Sequence, residues 1–271
     1  MQNSEIAERG LVLLGCGKMG SAMLEGWLAG GLPATSVWVN DPNPSDWVKA
    51  QGIHLNAALP ASPAIVLVAV KPQIMRDALP SLAAMGNGDT LFLSVAAGIT
   101  IATFEEMLGA ETPVIRSIPN TPAAVKQGIT AIIGNTKVSE AQLQMAEALL
   151  SAIGQTVRLE TEDQMDAVTG LSGSGPAYVF HMIECLAAAG EAQGLAPDLA
   201  MTLAKATVAG SGALAMQADD TPSQLRVNVT SPNGTTQAGL EVLMDEASGL
   251  PPLMVNTIDA ATKRSKELAN G

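Results

Sequence analysis

A glycine-rich turn near the amino terminus is the first place where residue types and spacing point to chemistry. Residues 15–20 are Gly-Cys-Gly-Lys-Met-Gly, directly after the aliphatic run 11–14 and before a stretch with helical spacing. Glycines in this pattern permit a tight turn, close approach of the backbone to a pyrophosphate, and close packing of helix on strand. The start of the helix offers N–H groups and partial positive charge to phosphates. The turn therefore predicts a dinucleotide site, and the alternative is an ordinary turn.

Asp41 supports the dinucleotide interpretation and bears on the choice of cofactor. It lies 21 residues beyond Gly20, at the end of the second predicted strand, where an acidic residue takes the ribose hydroxyls. A 2′-phosphate would meet this carboxylate, and the immediate neighbours of Asp41 supply no cation. Lys49 lies further along and could swing in. Residue chemistry alone therefore favours NADH, unless Asp41 is incidental.

Other predicted strand ends carry small or rigid residues. Lys71 and Pro72 follow a continuous apolar strand, at the sheet edge where ligands bind in this fold class. Lys71 is a candidate general acid, although a lysine in such a place is more often solvated or paired with a phosphate. Residues 96–98 (Ala-Ala-Gly) and 119–122 (Pro-Asn-Thr-Pro) suit a nicotinamide pocket, or form turns only.

The second half contains a polar loop before an apolar helix. Residues 229–236 are Val-Thr-Ser-Pro-Asn-Gly-Thr-Thr, in which Pro-Asn-Gly makes a turn and Thr235 or Thr236 is the expected helix cap. Amides and hydroxyls at a helix start bind a carboxylate well. Leu240, Leu243 and Met244 are the predicted buried stripe of that helix. The alternative is a helix cap without a ligand.

A second small-residue motif is informative for what it lacks. Gly170, Gly173 and Gly175 fit a frame in which many hydroxy-acid dehydrogenases of this layout place a catalytic lysine. Position 179, where that lysine would stand, is Val. The missing acid–base group argues against alcohol oxidation.

The elements that carry these motifs divide the chain into two parts. Alternating strands and helices over residues 1–160 predict a doubly wound, mostly parallel sheet, and helices alone are predicted over 161–271. The predicted strands are 11–14, 37–39, 65–70, 91–95, 114–118, 129–133 and 156–159. The predicted helices of the second part are 161–170, 176–193, 197–217, 222–229, 236–246 and 251–268.

Composition excludes several classes of function. The chain is 47% hydrophobic with a formal net charge of −12, which argues against a nucleic-acid binder and against attachment to an anionic membrane. The cysteines and histidines have no metal-site spacing, so no metal is expected. No apolar run longer than a strand and no signal peptide are evident, which predicts a cytoplasmic protein. The apolar helices 176–193 and 197–217 form either a subunit contact or a plain compact core.

Five motifs together resemble the pyrroline-5-carboxylate reductase family over essentially the whole chain. They are residues 15–20, 69–72 (Ala-Val-Lys-Pro), 119–122, 166–178 and 229–236, of which the last two are the specific ones. Members reduce the cyclic imine 1-pyrroline-5-carboxylate to L-proline with NAD(P)H, the last step of proline biosynthesis. The resemblance implies an α/β Rossmann-type amino-terminal domain, an all-α carboxyl-terminal dimerisation domain, and a homodimer or higher homo-oligomer.

The resemblance also assigns roles to residues. Thr236 would hydrogen-bond the ring nitrogen of the substrate and is the candidate catalytic residue. Ser231, Gly234 and Thr235 would hold the substrate carboxylate, and Asp219 would lie near the substrate. The implied cofactor-binding residues, with Asn228 beside the cofactor and 69–72 and 97 on the nicotinamide side, are Gly15, Cys16, Gly17, Lys18, Met19, Gly20, Asn40, Asp41, Asn56, Ala69, Val70, Lys71, Pro72, Ala97 and Asn228.

Two departures from the family pattern affect these expectations. The family usually has Gly where this chain has Asn233, so a slight shift of the loop backbone is expected. Members that prefer NADPH often have Ser or Thr near the position of Asp41, so both NADPH and NADH are candidate cofactors.

Two other functions are compatible with the same residues. One is a related dehydrogenase acting on a small oxo or imino acid, and the other is a dinucleotide-binding sensor or scaffold without catalysis. The reductase is favoured because a cyclic imine can bind already protonated, so a threonine hydroxyl suffices to orient it and no strong protein acid is needed.

Overall fold

The computed structural model of the protein describes residues 2–96 and 98–270, which form two compact units. Residues 2–173 and 261–270 belong to the first unit, and residues 174–260 to the second. The first unit contains eight strands: β1 (Leu11–Leu14), β2 (Val37–Asn40), β3 (His54–Leu55), β4 (Ile65–Val68), β5 (Leu91–Ser94), β6 (Val114–Ile118), β7 (Gly128–Gly134) and β8 (Gly154–Arg158).

The eight strands form one sheet in the order β3-β2-β1-β4-β5-β6-β7-β8. All neighbouring strands are parallel except β6 and β7, which are antiparallel. The chain leaves β3 at one edge and resumes beside β1 as β4, so the strand order reverses between β1 and β4. This arrangement confirms the predicted doubly wound, mostly parallel sheet.

Apolar side chains cover both faces of the central strands. Successive residues of a strand point to opposite faces, and accordingly Leu11 and Leu13 join one buried cluster while Val12 and Leu14 join the other. Burial on both sides explains why the strand sequences are continuous aliphatic runs without polar alternation. The sheet and its two layers of helices therefore form a complete core.

Helices pack on both faces of this sheet. Their bounds are α1 (Gln2–Arg9), α2 (Lys18–Ala29), α3 (Asp46–Lys49), α4 (Pro72–Ala78), α5 (Ile101–Leu108), α6 (Glu140–Leu150) and α7 (Gln164–Val168). A 3₁₀ segment, Leu79–Met85, continues α4, and a π-helical segment, Thr169–Gly173, continues α7. The sequence analysis did not predict α1 or β3. A two-residue strand is too short to show periodicity, and β3 is held at the edge by pairing with β2 and by stacking of His54 on Trp38.

The division of the chain by contacts differs from the predicted boundary at residue 160. Residues 161–173 pack with the sheet because polar contacts fix them there. Arg116 on β6 donates to Glu162 at 2.8 Å, and Asn120 Nδ2 donates to the Ser172 carbonyl at 3.1 Å. The predicted boundary was placed where strands give way to helices alone. The observed boundary lies further along the chain because these contacts tie residues 161–173 to the sheet.

The second unit is helical throughout its described length. It comprises α8 (Gly175–Ala192), α9 (Pro197–Gln217), α10 (Pro222–Asn228), α11 (Thr235–Leu243) and the first half of α12 (Leu250–Asn270). The antiparallel α8 and α9 pack through small residues, with Ala187, Ala200 and Ala204 buried between them. The predicted helices of this unit are therefore confirmed, with ends that differ by at most three residues.

Most large apolar side chains of the second unit are exposed in the single chain. Leu243 and Met244 on the predicted buried stripe are 50% and 44% exposed, so the stripe is not buried within this chain. The exposed residues of α8, α9 and their connection include Val179, Phe180, Met182, Leu186, Leu195, Leu199, Leu203, Leu214 and Met216. A surface this apolar is typical of a protein interface, so a plain compact core does not account for these helices.

Helix α9 also has the length and composition of a membrane-crossing helix, with a mean hydropathy of 1.3 over its most apolar window. The sequence analysis did not identify it as such. Length and composition alone do not separate a membrane span from a helix that is covered by another subunit, because both bury apolar residues on several faces.

The ion pair that holds residues 161–173 to the sheet generates a stability prediction. Replacing Arg116, which is 4% exposed, by Met should lower the free energy of unfolding by about 3 kcal/mol, because Glu162 is left without its buried partner. Urea unfolding followed by circular dichroism measures the change. The matched control is Arg158→Met, which removes an exposed arginine from a surface network with Glu140 and Glu147. Equal losses for both variants would contradict the prediction.

Candidate functional site

The glycine loop lies at the point where the strand order reverses. It connects β1 to α2, and the carboxyl end of β1 is flanked by β2 and β4. Gly15 has φ +85°, and a Cβ there would lie 2.9 Å from Val70 Cγ1 and 3.0 Å from the Ala69 carbonyl oxygen. Only glycine fits between the two strand ends in this conformation. Ligands of doubly wound sheets bind in the crevice at such a reversal.

The other two glycines of the loop are required for different reasons. A Cβ on Gly20 would lie 2.8 Å from the Gly15 carbonyl oxygen, so this glycine allows the helix to start close to the strand. Gly17 is exposed, and a Cβ there would have no heavy atom within 4 Å. The protein itself therefore leaves space for a Cβ at residue 17. The open space beside Gly17, the middle glycine, fits a group that approaches the backbone from outside, as a pyrophosphate does.

The Asp41 carboxylate is bonded to the glycine loop. Its Oδ2 accepts a hydrogen bond from the Cys16 N–H at 2.6 Å, and its Oδ1 accepts one from the Asn43 N–H at 2.7 Å. Each carboxylate oxygen has two acceptor sites, so capacity remains for the predicted contact with ribose hydroxyls. The contact of Asp41 with the ribose stays a prediction. The structure shows a second role for Asp41, which joins the end of β2 to the glycine loop.

Asn56 holds the backbone of Asp41 in place. Its Oδ1 accepts from the Asp41 N–H and its Nδ2 donates to the Asp41 carbonyl, both at 2.9 Å. Asn56 itself has φ +50°, a left-handed conformation that asparagine tolerates better than most residues. Asn40, the last residue of β2, accepts a hydrogen bond from the Gly15 N–H at 2.8 Å. These bonds bring Asn40, Asp41 and Asn56 to one side of the glycine loop.

Cys16 is a buried thiol within this loop. Burial raises the pKa of the Cys16 thiol above its ordinary value; the hydrogen bond to Ser21 Oγ opposes that shift and the nearby Asp41 carboxylate adds to it. A thiol with a raised pKa carries little thiolate at neutral pH and reacts slowly. The residue therefore contributes its backbone N–H to the loop rather than reactive sulfur chemistry.

The remaining cofactor candidates lie at neighbouring strand ends. Ala69 and Val70 follow β4 and are half-buried, Lys71 is exposed, and Pro72 begins α4. Ala97, another predicted cofactor residue, lies outside the described residues. Lys18 and Met19 open α2 beside Gly20. Lys49 pairs with Asp46 at 2.8 Å on the surface of α3.

The substrate candidates belong to the second unit, on the loop that joins α10 to α11. Ser231, Thr235 and Thr236 are exposed and Gly234 is half-buried. Gly234 is the N-cap of α11, with no side-chain cap, so the expected capping by Thr235 or Thr236 was wrong. Both threonines lie in the first helical turn and keep their hydroxyls free of a capping role. An N-terminus without a side-chain cap leaves its backbone N–H groups available to an anion.

Asn233 lies in the turn of this loop, and the expected slight shift of the loop backbone relative to the family stays a prediction. Asn233 has φ +57°, the left-handed conformation that glycine would adopt most easily. The Gly234 N–H donates to the Ser231 carbonyl at 3.0 Å and closes the turn. Asparagine reaches this conformation at modest cost, so the replacement does not abolish the turn.

Asn228 is held by two residues that the sequence analysis missed. Its Oδ1 accepts from Gln224 Nε2 at 2.7 Å, and its Nδ2 donates to Asp220 Oδ2 at 3.1 Å. Gln224 and Asn228 are four positions apart on α10, a spacing that brings helical side chains together and could have identified the pair. The predicted residue Asp219 is exposed beside Asp220.

Comparisons with known proteins agree with this arrangement. A family model described as NADP oxidoreductase coenzyme F420-dependent matches residues 10–98, and one described as pyrroline-5-carboxylate reductase dimerisation matches residues 162–268. The chain is similar to the pyrroline-5-carboxylate reductase of Pseudomonas aeruginosa, with 38% identity over 265 residues and 96% of each protein covered.

Two solved structures are similar over nearly their whole length. One is a pyrroline-5-carboxylate reductase from Coxiella burnetii, with 31% identity, a TM-score of 0.90, and coverage of 96% of this chain and 98% of the other. The second is a pyrroline carboxylate reductase from Plasmodium falciparum with NADP bound, with 28% identity, a TM-score of 0.81, and coverage of 97% and 99%.

The open position at Gly17 separates a binding defect from a folding defect. We expect Gly17→Val to unfold like the wild type but to bind reduced dinucleotide at least about tenfold more weakly, because the side chain occupies the space a pyrophosphate needs. Calorimetric titration with NADH measures affinity, and thermal unfolding measures stability. The contrasting variant is Gly20→Ala, whose Cβ meets the Gly15 carbonyl, so it should lower stability itself. Unchanged affinity in Gly17→Val would refute this placement.

Proposed function

This chain belongs to the pyrroline-5-carboxylate reductase family, and we propose that its loop of residues 229–236 binds 1-pyrroline-5-carboxylate while its glycine loop binds NAD(P)H. The protein is an NAD(P)H-dependent oxidoreductase that reduces 1-pyrroline-5-carboxylate to L-proline, the last step of proline biosynthesis. What we add is the assignment of residues. The observation that carries it is the α11 N-terminus, which has no side-chain cap and has two exposed threonines in its first turn.

The carboxylate of the substrate is held by the start of α11. Backbone N–H groups in the first turn of a helix and the aligned peptide dipoles favour an anion there. Further hydrogen-bond donors come from residues next to the start of α11 in the sequence. They are Ser231, Thr235 and the turn at Gly234. The acidic net charge of the protein does not oppose this binding, because backbone amides determine the local field.

Thr236 orients the ring nitrogen and is the catalytic residue of the proposal. Bound NAD(P)H supplies the hydride that reduces the C=N bond. A hydroxyl is both donor and acceptor, so Thr236 can accept a hydrogen bond from a protonated imine and keep one face of the ring towards the hydride. Positioning of this kind accounts for a large part of the rate of a reaction that needs no strong acid. Lys71 is exposed at the end of β4 and serves cofactor binding in this scheme.

Asn228 and Asp219 complete the proposed site. The Asn228 amide is oriented by Gln224 and Asp220, so one N–H remains free to act beside the cofactor. Asp219 contributes an exposed negative charge near the substrate, which favours the protonated imine over the neutral one.

The protein forms a homo-oligomer, and we infer that the apolar faces of α8, α9 and α11 bury one another in a homodimer. The dimerisation model spans these helices, and their large apolar residues are exposed in the single chain. Pairing with a second copy also accounts for the composition of α9 without a membrane. We further infer a cytoplasmic protein with no nucleic-acid partner, since its net charge of −12 opposes binding to phosphate backbones.

The role of Thr236 is tested by removing its hydroxyl while keeping its shape. We expect Thr236→Val to lower kcat with 1-pyrroline-5-carboxylate by about 10²-fold, because the ring is no longer oriented, and to change NADH affinity less than twofold. Oxidation of NADH in the presence and absence of the imine measures turnover. The matched control is Thr257→Val on α12, which removes an exposed threonine hydroxyl bonded to its own helix. Equal loss of turnover and cofactor affinity, or loss of neither, would contradict the role.

The cofactor preference follows from the charge at Asp41. We propose that this chain prefers NADH, because the carboxylate repels a 2′-phosphate and Lys49 is engaged by Asp46. Asp41→Asn should improve kcat/KM for NADPH relative to NADH by about tenfold, since it removes that repulsion. The control is Asp89→Asn, which removes an exposed carboxylate elsewhere in the first unit and leaves the pair of Lys49 with Asp46 intact. A wild-type preference for NADPH, or an unchanged ratio in Asp41→Asn, would contradict the proposal.

A further inference from the structure

One side chain of α11 reaches back to the loop of residues 229–236, and a second side chain of the helix is bonded to the first. Gln237 Oε1 accepts a hydrogen bond from the Asn233 N–H at 2.8 Å, and Gln237 Nε2 donates to Glu241 Oε1 at 3.0 Å. We propose that Gln237 and Glu241 are positioning residues that hold the loop of residues 229–236 in the conformation that binds substrate. This proposal rests on the proposed function of that loop.

The loop needs such support because its turn contains a disfavoured conformation. Asn233 has φ +57°, a left-handed conformation that L-residues adopt less readily than right-handed backbone. Conformations of this kind persist where the surroundings determine them strongly. The hydrogen bond from the Asn233 N–H to the Gln237 side chain stabilises this conformation directly at Asn233.

Packing gives the loop little other support within its own unit. Ser231, Pro232 and Asn233 are all exposed. Beside the loop, α10 and α11 leave an open cavity of about 530 Å³, lined by Thr230, Gln237, Leu240, Glu241, Met244 and two residues of α10. An empty space provides no van der Waals contacts, so hydrogen bonds carry more of the task of holding the turn.

Glu241 determines which way the Gln237 amide faces. The Asn233 N–H can only donate, and an ionised Glu241 can only accept. One orientation of the amide satisfies both partners, with the oxygen towards Asn233 and the nitrogen towards Glu241. Without Glu241 the amide could turn over, and its NH₂ group would then face the Asn233 N–H. The pair therefore works as a unit, and neither residue needs to touch the substrate.

The contact differs from an ordinary helix cap. In a capping box, Gln at the third helical position accepts from the N–H of the N-cap residue. Here the N-cap is Gly234, and Gln237 reaches one residue further back, to Asn233 in the loop. A cap acts mainly on helix stability, whereas a bond to the loop acts on substrate affinity.

Kinetics of Gln237→Leu in the full-length protein tests the positioning role. We expect KM for 1-pyrroline-5-carboxylate to rise about 5- to 10-fold, the loss produced by one hydrogen bond. We expect kcat and the Kd for NADH to stay within about twofold of the wild type. The matched control is Gln144→Leu, which removes a similar Gln–Glu bond at four-residue spacing on α6 of the first unit. That variant should keep the wild-type KM.

Exchange of the two residues provides a rescue. The double variant Gln237→Glu with Glu241→Gln keeps the net charge and both hydrogen bonds. Position 237 still accepts from the Asn233 N–H, and the bond between positions 237 and 241 is kept with donor and acceptor exchanged. It should return KM to within about threefold of the wild type. A KM for Gln237→Leu within twofold of the wild type, or a double variant that behaves like the single one, would overturn the proposal. A uniform loss of stability and of all kinetic constants would also overturn it.

Hydrogen exchange of the loop amides separates this proposal from the proposed function. The Asn233 amide should exchange about 5- to 10-fold faster in Gln237→Leu than in the wild type, whatever the enzyme reduces. If the wild type does not reduce the imine but the Asn233 amide is protected by Gln237, the proposed function fails and the loop contact stands. If the imine is reduced and the Asn233 amide is equally exposed in both proteins, the positioning role fails.

Discussion

The parallel pairing of β1 with both β2 and β4 is the constraint on which the cofactor half of the protein depends. It places three strand ends side by side and leaves a gap where the strand order reverses. Gly15 lies at that gap in a left-handed conformation and packs closely against Val70 and the Ala69 carbonyl. The helix that follows therefore starts directly above the sheet edge, with its free N–H groups at the crevice.

Hydrogen bonds fix the residues around this crevice before any ligand arrives. Asp41 is bonded through its carboxylate to the Cys16 N–H and through its backbone to the Asn56 side chain. The same carboxylate that selects the ribose in the proposed scheme thus also shapes the loop that takes the phosphates. Preorganised polar groups of this kind lower the cost of binding, because they need not be ordered by the ligand.

The second unit follows a different physical principle. Its internal core consists of small residues between α8 and α9, and its large apolar residues face outward. A helical hairpin with so small a core gains little from its own burial. In the homodimer that we propose, a second copy supplies much of the stabilisation that this unit needs. Within the chain, local hydrogen bonds define the loop that joins α10 to α11.

The sequence alone determined the sheet, the position of the glycine loop and the helical character of the second half, because these depend on local periodicity and on turn residues. It also predicted the family through motifs in both halves. Tertiary structure decided what local patterns cannot express. Residues 161–173 join the sheet unit because Arg116 and Asn120 reach them from strands and loops far away in sequence. The threonines at the start of α11 are not caps, since Gly234 takes that position. The apolar stripe on α11 is exposed in the single chain, and no pattern within one sequence distinguishes burial by the chain itself from burial by a second copy.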